Sequence, residues 1–351
     1  MAEQSKRRIL SVDVLRGLTV ALMILVNNGH GESFVQLGHS SWNGLTLCDL
    51  VFPFFLFIVG LSVNLSRKGS WKQILRRTAL IILLCWAIQY FEYALKGDVA
   101  PWAHFRLTGV LVRIALCYCV AALLSRRLST AALAWIAGAL LVVYTAVLLL
   151  GNGYEADSGS ILSVVDRFLL GEAHLYRKSP IDPEGLLSTV PALAHTLLGC
   201  VCGRMLVSDR ELSVRLHRIA LYGLLLALAG ALLAIWLPLN KRVWSPSFTL
   251  LTSGCCALLL AGITWLTDVR DIRGWTPPFV AFGRNALAIY VFADLLSAVV
   301  RQTGLSDALY GFIASWCSVP RVASLLYAMC FVLVCAALAW LLFRKKIFIK
   351  L

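Results

Sequence analysis

His39 is the residue best suited by type and position to take part in a reaction. Histidine gains or loses its charge near neutral pH, so it can accept and return a proton. It stands just before the segment SSWNGL, and Asn27 and Asn28 end the apolar run that precedes it. Their amides could orient the histidine or hydrogen-bond to a substrate oxygen. With Asp49, which opens the run DLVFPFFLFIVG, they form the candidate catalytic set; the alternative for His39 is a solvated loop histidine.

Charged residues inside apolar runs are a second group with potential function, because such residues are costly in a membrane. Arg113 lies within GVLVRIALCY, and a buried arginine requires an anionic partner. Either Asp49 or a phosphate of a ligand would serve. Asp13 and Arg16 are three residues apart, so they share a helix face and can form a pair.

Three further segments place polar residues in an apolar setting. Arg284 and Asn285 occur in FGRNALAIY, where either an interhelical hydrogen bond or ligand binding would account for them. His195, in PALAHTLLG, is a candidate lining group of an internal cavity. Lys241 and Trp244, in PLNKRVWSPS, fit both a topology signal with an interfacial aromatic and a binding role.

The elements that position these residues are apolar runs of membrane-spanning length. Of the 351 residues, 60% are apolar and 14% are charged, whereas soluble chains average about 45–50% and about 25%. We therefore predict an all-α, polytopic helix bundle with about ten transmembrane helices. The ten predicted spans are 11–28, 46–66, 74–95, 107–125, 129–150, 186–207, 217–237, 247–267, 278–300 and 320–343.

The placement of charge predicts the topology. The net charge of +14 does not indicate nucleic-acid binding, because the basic residues lie between the apolar runs. With both termini cytoplasmic, 21 of the 32 Lys and Arg residues lie on the inner side and nine on the outer side. The whole chain, 1–351, is then one membrane domain, and 151–185 is a long periplasmic loop that could cover the outer mouth. The eleven cysteines include no CxxC pair, so we assign no metal and no disulfide.

Six segments carry motifs that recur together in a known family. They are SVDVLRGLTVALMILVNN (11–28), HSSWNGLTLCDLVFPFFLFIVG (39–60), LTGVLVRIALCY (107–118), DPEGLLSTVPA (182–192), PLNKRVWSPSF (238–248) and PFVAFGRNALAIY (278–290). In this order they resemble the heparan-α-glucosaminide N-acetyltransferase family, and the HxxWNGxTxxDLVFPxFxFIxG pattern is specific. The resemblance implies a multispanning acetyltransferase that moves acetyl from acetyl-CoA to an amino sugar or glycan across the membrane.

The chain resembles the compact bacterial type, which implies the bacterial inner membrane and no luminal N-terminal domain. The family's active histidine matches His39 through the WNG that follows it. Its asparagine best matches Asn27, with Asn28 as the competitor, because the spacing is one residue longer here. The resemblance leaves open whether the histidine carries the acetyl group or acts as a general base.

Acyl transfer from a thioester to an amine needs a base, an oxyanion donor and cations for the CoA phosphates. His39 would be the base or the nucleophile, and Asn27 the donor. The candidate cofactor-binding residues are Arg113, Arg16, Arg284, Asn285, Lys241 and Trp244. The alternatives are an amino-sugar transporter, for example of glucosamine or N-acetylglucosamine, and a structural or sensory membrane protein. A homodimer is compatible with either function.

Overall fold

The apolar runs identified in the sequence fold as α-helices, one of them as a broken pair, since a helix satisfies its own backbone hydrogen bonds inside a bilayer. The computed structural model describes residues 9–65, 70–176 and 179–349. Within these ranges there are thirteen α-helices and no β-strand. The helices are α1 (Leu10–Asn27), α2 (Leu47–Leu65), α3 (Trp71–Leu95), α4 (Val110–Arg127), α5 (Thr130–Leu150), α6 (Ile161–Leu170), α7 (Thr189–Leu206), α8 (Leu212–Leu233), α9 (Pro246–Thr264), α10 (Thr276–Arg284), α11 (Ala286–Gln302), α12 (Leu305–Trp316) and α13 (Pro320–Arg344).

The structure confirms an all-α, multi-pass membrane protein. Among the described residues, eight helices are long and apolar enough to cross a membrane, and α10 with α11 makes a ninth if the bent pair is one span. The remaining predicted span, α4, carries three arginines within its 18 residues, Arg113, Arg126 and Arg127. Part of the predicted charge pattern lies outside the described residues, namely Lys6, Arg7, Arg8, Arg67, Lys68, Arg177, Lys178 and Lys350.

The ninth predicted span, 278–300, is not one continuous helix. The chain turns by 83° between α10 and α11, and Asn285 stands at the turn. Its side-chain amide donates to the Ile347 carbonyl at 3.0 Å, and its side-chain oxygen accepts from the Ile349 backbone at 2.9 Å. The break therefore lies where an asparagine side chain bonds to the backbone after α13.

The segment 151–185 is more ordered than a simple loop. It contains α6, which was not predicted from the sequence. The helix α12 was not predicted either, because helices of 10 and 12 residues are too short to be found as membrane spans. Asp182 and Glu184 bind Arg106, each at 2.6 Å. Burial alone would raise the pKa of Asp182, but the Arg106 guanidinium lowers it overall. The segment is thus tied to the residues just before α4, and Ser188 occupies the N-cap of α7.

One of the closest helix crossings joins α2 to α7. A β-carbon added at Gly60 would collide with the Thr196 carbonyl oxygen, and one added at Gly199 would collide with the Phe57 carbonyl oxygen. The two helices therefore approach through reciprocal glycines, as small residues allow in membrane bundles. This crossing holds α2 firmly, and the first turn of α2 carries Asp49.

Candidate active site

His39 and Asp49 form a hydrogen-bonded pair at the end of the bundle where α1 ends and α2 begins, here called the histidine end. The His39 Nδ1 lies 2.8 Å from the Asp49 Oδ1. The His39 side chain is 54% exposed, whereas that of Asp49 is 1% exposed. A buried carboxylate therefore anchors a histidine whose other face is open to incoming molecules.

The start of α2 fixes the orientation of the Asp49 carboxylate. The Thr46 hydroxyl accepts from the Asp49 backbone N–H at 3.3 Å, and the Thr46 backbone N–H donates to the Asp49 Oδ2 at 3.3 Å. This reciprocal arrangement is a capping box, with aspartate in the third helical position. The Ser40 backbone N–H also donates to Oδ2 at 3.1 Å. These bonds occupy Oδ2 and leave Oδ1 directed toward His39.

Lys241 reaches the same site from a distant part of the sequence. The Gly44 backbone donates to the Leu239 carbonyl at 2.8 Å, and Asn240 donates to the Asn43 side chain at 3.0 Å. This contact between loops brings the Lys241 amine to 3.5 Å from the Asp49 Oδ1 and 3.1 Å from the His39 Nδ1. The lysine thus adds positive charge beside the pair.

The shortest contact of the His39 Nδ1, that with the Asp49 carboxylate at 2.8 Å, favours one tautomer of His39. A carboxylate can only accept, so the proton of a neutral His39 is placed on Nδ1, facing Asp49. The unprotonated Nε2 then points away from the carboxylate, with the Cys48 sulfur 3.8 Å from it. A nitrogen with a free lone pair, held by a carboxylate behind it, can remove a proton or attack a carbonyl carbon.

Sequence reasoning missed two neighbours of His39. The Cys48 sulfur lies 3.2 Å from the His39 Nδ1 and is buried. Thr46 braces Asp49, and its hydroxyl donates to the Gly38 carbonyl at 2.7 Å. The spacing T-x-x-D at 46–49 was the available signal for Thr46, because it is a variant of the capping-box pattern. No comparable pattern marks Cys48.

Asn27 and Asn28 stand at the same end of the bundle but not in the hydrogen-bond network of His39. Asn28 is buried, and its amide donates to the Ile24 carbonyl at 2.8 Å. The Asn27 carbonyl accepts from Arg301 at 3.0 Å. Both side chains line a cavity between the ends of α1, α3 and α11. Among the described residues, no hydrogen bond joins either asparagine to His39.

The expected pair of Asp49 with Arg113 is wrong, because Arg113 is held elsewhere. Its guanidinium donates to the Gly185 carbonyl at 3.0 Å and to the Ser188 hydroxyl. It also lies over the Trp244 ring at 5.2 Å. Arg113 is 1% exposed and Trp244 is fully buried. These two candidate cofactor-binding residues therefore lie together inside the protein, behind the Lys241 loop.

The candidates Arg16, Arg284 and Asn285 lie toward the other end of the bundle. Arg16 pairs with Asp13 at 3.1 Å, as the sequence predicts, and also donates to Ser62 at 2.9 Å. Arg284 lies 5.2 Å from the rings of Phe343 and Phe348. Thirteen helical residues separate Asp49 from Ser62, which corresponds to about 20 Å along α2. His195 is also inside the bundle, fully buried and 6.1 Å from the Trp244 ring.

The family now follows from comparison with known proteins. A family model described as heparan-alpha-glucosaminide N-acetyltransferase, catalytic, matches residues 8–239. The chain belongs to this family.

The curated relatives include mammalian proteins named heparan-alpha-glucosaminide N-acetyltransferase. The Mus musculus protein is 31% identical over 361 residues, which cover 83% of this chain and 54% of the relative. The Homo sapiens protein is 31% identical over 353 residues, which cover 81% of this chain and 52% of the relative. The chain thus spans about half the length of the curated relatives it matches. The matched model region contains the His39–Asp49 pair and ends two residues before Lys241.

Asp166, near the Arg113 contact, gives a prediction for stability. Its Oδ1 accepts from the Leu186 and Leu187 backbones at 2.9 and 3.2 Å, but its buried Oδ2 has no hydrogen-bond partner. Burial raises the pKa of Asp166 to about 6. The folded protein thus binds this proton more tightly than the unfolded chain, whose carboxyl titrates near 4. The contribution of Asp166 to stability falls as the pH rises from about 4 to about 6 and is constant above that.

We expect Asp166→Asn to melt about 5 °C above the unsubstituted protein at pH 7.5, because it keeps the Oδ1 acceptor and removes the buried charge. The advantage should fall by more than half at pH 4.5, where the aspartate is largely protonated in the folded state. Thermal unfolding in detergent at the two pH values measures this. An advantage that does not depend on pH would contradict the assignment.

Proposed function

We propose that this protein is a transmembrane N-acetyltransferase that moves acetyl from acetyl-CoA to the amine of an amino sugar or glycan. The observation that carries the proposal is the His39–Asp49 pair, whose histidine side chain is half exposed, in a chain whose relatives are named N-acetyltransferases. We place the acceptor side at the histidine end, which would face the periplasm in the topology predicted from the charge pattern, and we propose that the membrane is the bacterial inner membrane. The comparisons give no support to the transporter alternative.

Acetyl transfer can follow either of two mechanisms at this site. With His39 as a general base, Nε2 takes a proton from the attacking amine while the C–N bond forms. The C–S bond then breaks, and the CoA thiolate leaves and is protonated. With His39 as the carrier, Nε2 first displaces the thiolate and holds the acetyl group. The amine then displaces the imidazole, and the released Nε2 accepts the amine proton, which balances the proton that the CoA thiolate takes up. In both mechanisms the Asp49 carboxylate stabilises the positive charge that develops on the imidazole.

One group beside His39, the Lys241 amine, would complement the carboxylate in this reaction. The Lys241 amine, 3.5 Å from the Asp49 Oδ1 and 3.1 Å from the His39 Nδ1, adds positive charge beside the imidazole, which would favour a negatively charged tetrahedral intermediate formed at Nε2. Asn28 and Asn27 remain candidates for binding the acceptor or the oxyanion. Arg16 and Arg284 would reach the CoA phosphates only if the cofactor extended over about 20 Å from His39 toward the other end. We propose that the cofactor enters from that end.

The direct test uses the purified protein reconstituted into liposomes. Labelled acetyl-CoA is supplied on one side and glucosamine on the other, and labelled N-acetylglucosamine is measured. We expect product that requires the protein and both substrates. Glucosamine uptake is measured in parallel without CoA. Uptake with no acetylated product, from glucosamine or from a glucosamine-terminated oligosaccharide, would overturn the proposal in favour of transport.

A further inference from the structure

A cavity at the histidine end, distinct from the His39–Asp49 pair, has the chemistry of a binding site. It lies between the ends of α1, α3 and α11 and has a volume of about 340 Å³. That is within the range of small-molecule pockets and sufficient for one monosaccharide. Its polar lining includes Asn27, Asn28, Glu92, Asp294, Ser297 and Arg301.

Two carboxylates in this cavity have no cationic partner of their own. In the described part of the chain, neither Glu92 nor Asp294 forms an ion pair within 4 Å, although Lys96 and Arg301 lie within electrostatic range of Glu92. Glu92 and Asp294 are also close enough for their charges to repel. Two half-buried carboxylates that face one cavity have much to gain from a ligand cation placed between them.

The remaining lining groups suit a polyhydroxylated molecule. The Asn28 amide nitrogen is used by the Ile24 carbonyl, so its oxygen remains free to accept from a hydroxyl. Ser297 can donate or accept, and Gln302 adds a further amide. Hydroxyl-binding groups thus surround the carboxylates. A metal ion would bind only to the carboxylates of this lining. An amino sugar would place its ammonium group at the carboxylates and its hydroxyls at the amides and the serine.

We propose that this cavity recognises the acceptor as a protonated amino sugar, with Glu92 and Asp294 binding its ammonium group. This inference rests on the proposed acetyl transfer, and it assigns the selection of the acceptor to the cavity. Acetylation converts the ammonium into a neutral amide, which loses the attraction of both carboxylates. The cavity would thereby favour substrate over product, and it lies at the same end of the bundle as His39.

The test is equilibrium binding of glucosamine, N-acetylglucosamine and glucose to the full-length protein in detergent. We expect glucosamine to bind at least ten-fold more tightly than the two neutral sugars. Glu92→Gln and Asp294→Asn should each weaken glucosamine binding about ten-fold, with little change for glucose. Lys96→Gln, in the same cavity, should leave glucosamine binding unchanged or strengthen it, because it removes a like charge. Glu155→Gln, at an exposed carboxylate elsewhere, should have no effect.

The outcomes separate this inference from the proposed function. If both carboxylate variants fold and still bind glucosamine as tightly as the unsubstituted protein, the cavity assignment is overturned whether or not transfer occurs. If His39→Ala binds glucosamine normally and the unsubstituted protein acetylates it, both are supported. Selective, carboxylate-dependent binding with no acetyl transfer to any amino sugar would support the cavity and overturn the transferase proposal.

Discussion

Replacing His39 by alanine should lower acetyl transfer by about 10³-fold or more. Removing a general base alone costs about 10²–10⁴-fold, and loss of a covalent carrier costs at least as much. The fold should survive, because the His39 side chain is half exposed and its loss leaves Asp49 paired with Lys241. The measurement is the rate of CoA release in the presence of glucosamine, with the melting temperature as a check on folding.

Two controls make the His39 result specific. His217→Ala removes an exposed histidine on α8 and should leave the rate unchanged. Cys48→Ala removes the thiol beside His39 and should reduce the rate only slightly; a loss as large as that of His39→Ala would transfer the role of nucleophile to the thiol. Labelled acetyl-CoA without acceptor separates the two mechanisms, because only a carrier retains acetyl on His39. Transfer that survives His39→Ala at near-normal rate would contradict the assigned chemistry.

Replacing Gly60 by alanine should lower the melting temperature by about 10 °C or prevent folding. The added methyl group would meet the backbone of α7 at Thr196, and a backbone cannot move aside as a flexible side chain can. Overpacking of this kind costs about 1–3 kcal/mol or more. Thermal unfolding in detergent, with size-exclusion chromatography to detect misfolding, measures the effect.

Gly138 provides the matched control for this prediction. It lies within α5, and an added β-carbon there would meet no atom within 4 Å. Gly138→Ala should therefore be neutral or slightly stabilising, because alanine favours a helix over glycine by about 1 kcal/mol. Equal melting temperatures for the two variants would show that the α2–α7 crossing is looser than the structure indicates.

Much of the fold could be predicted from the sequence because a segment that crosses the hydrocarbon of a bilayer must be apolar and helical. A run of about 20 apolar residues has few alternatives to a helix, so the bounds of α1, α2 and α5 fall within one residue of prediction. The short helices α6 and α12 escaped because they do not span. The turn at Asn285 escaped because it depends on backbone atoms more than 60 residues away.

The candidate site could be predicted only in part. His39 and Asp49 were identified one by one, yet Asp49 was considered as a partner of Arg113 and not of His39. The correct partners depend on the contact of Gly44 with Leu239, which brings together segments that are 195 residues apart. Local spacing carries no information about such a contact. The T-x-x-D cap could be recognised in the sequence, but it fixes the direction of the Asp49 carboxylate and not the partner of that carboxylate.

The two carboxylate oxygens of Asp49 have different partners, and this limits the substitutions that the position tolerates. Oδ2 secures the beginning of a membrane helix, while Oδ1 holds the imidazole. An asparagine must present an NH₂ group to one of these neighbourhoods, and a glutamate would displace both oxygens by a methylene. Glutamate thus damages folding and turnover together, whereas asparagine damages one of them, so a screen for expression alone would exclude glutamate here without ever assaying the reaction.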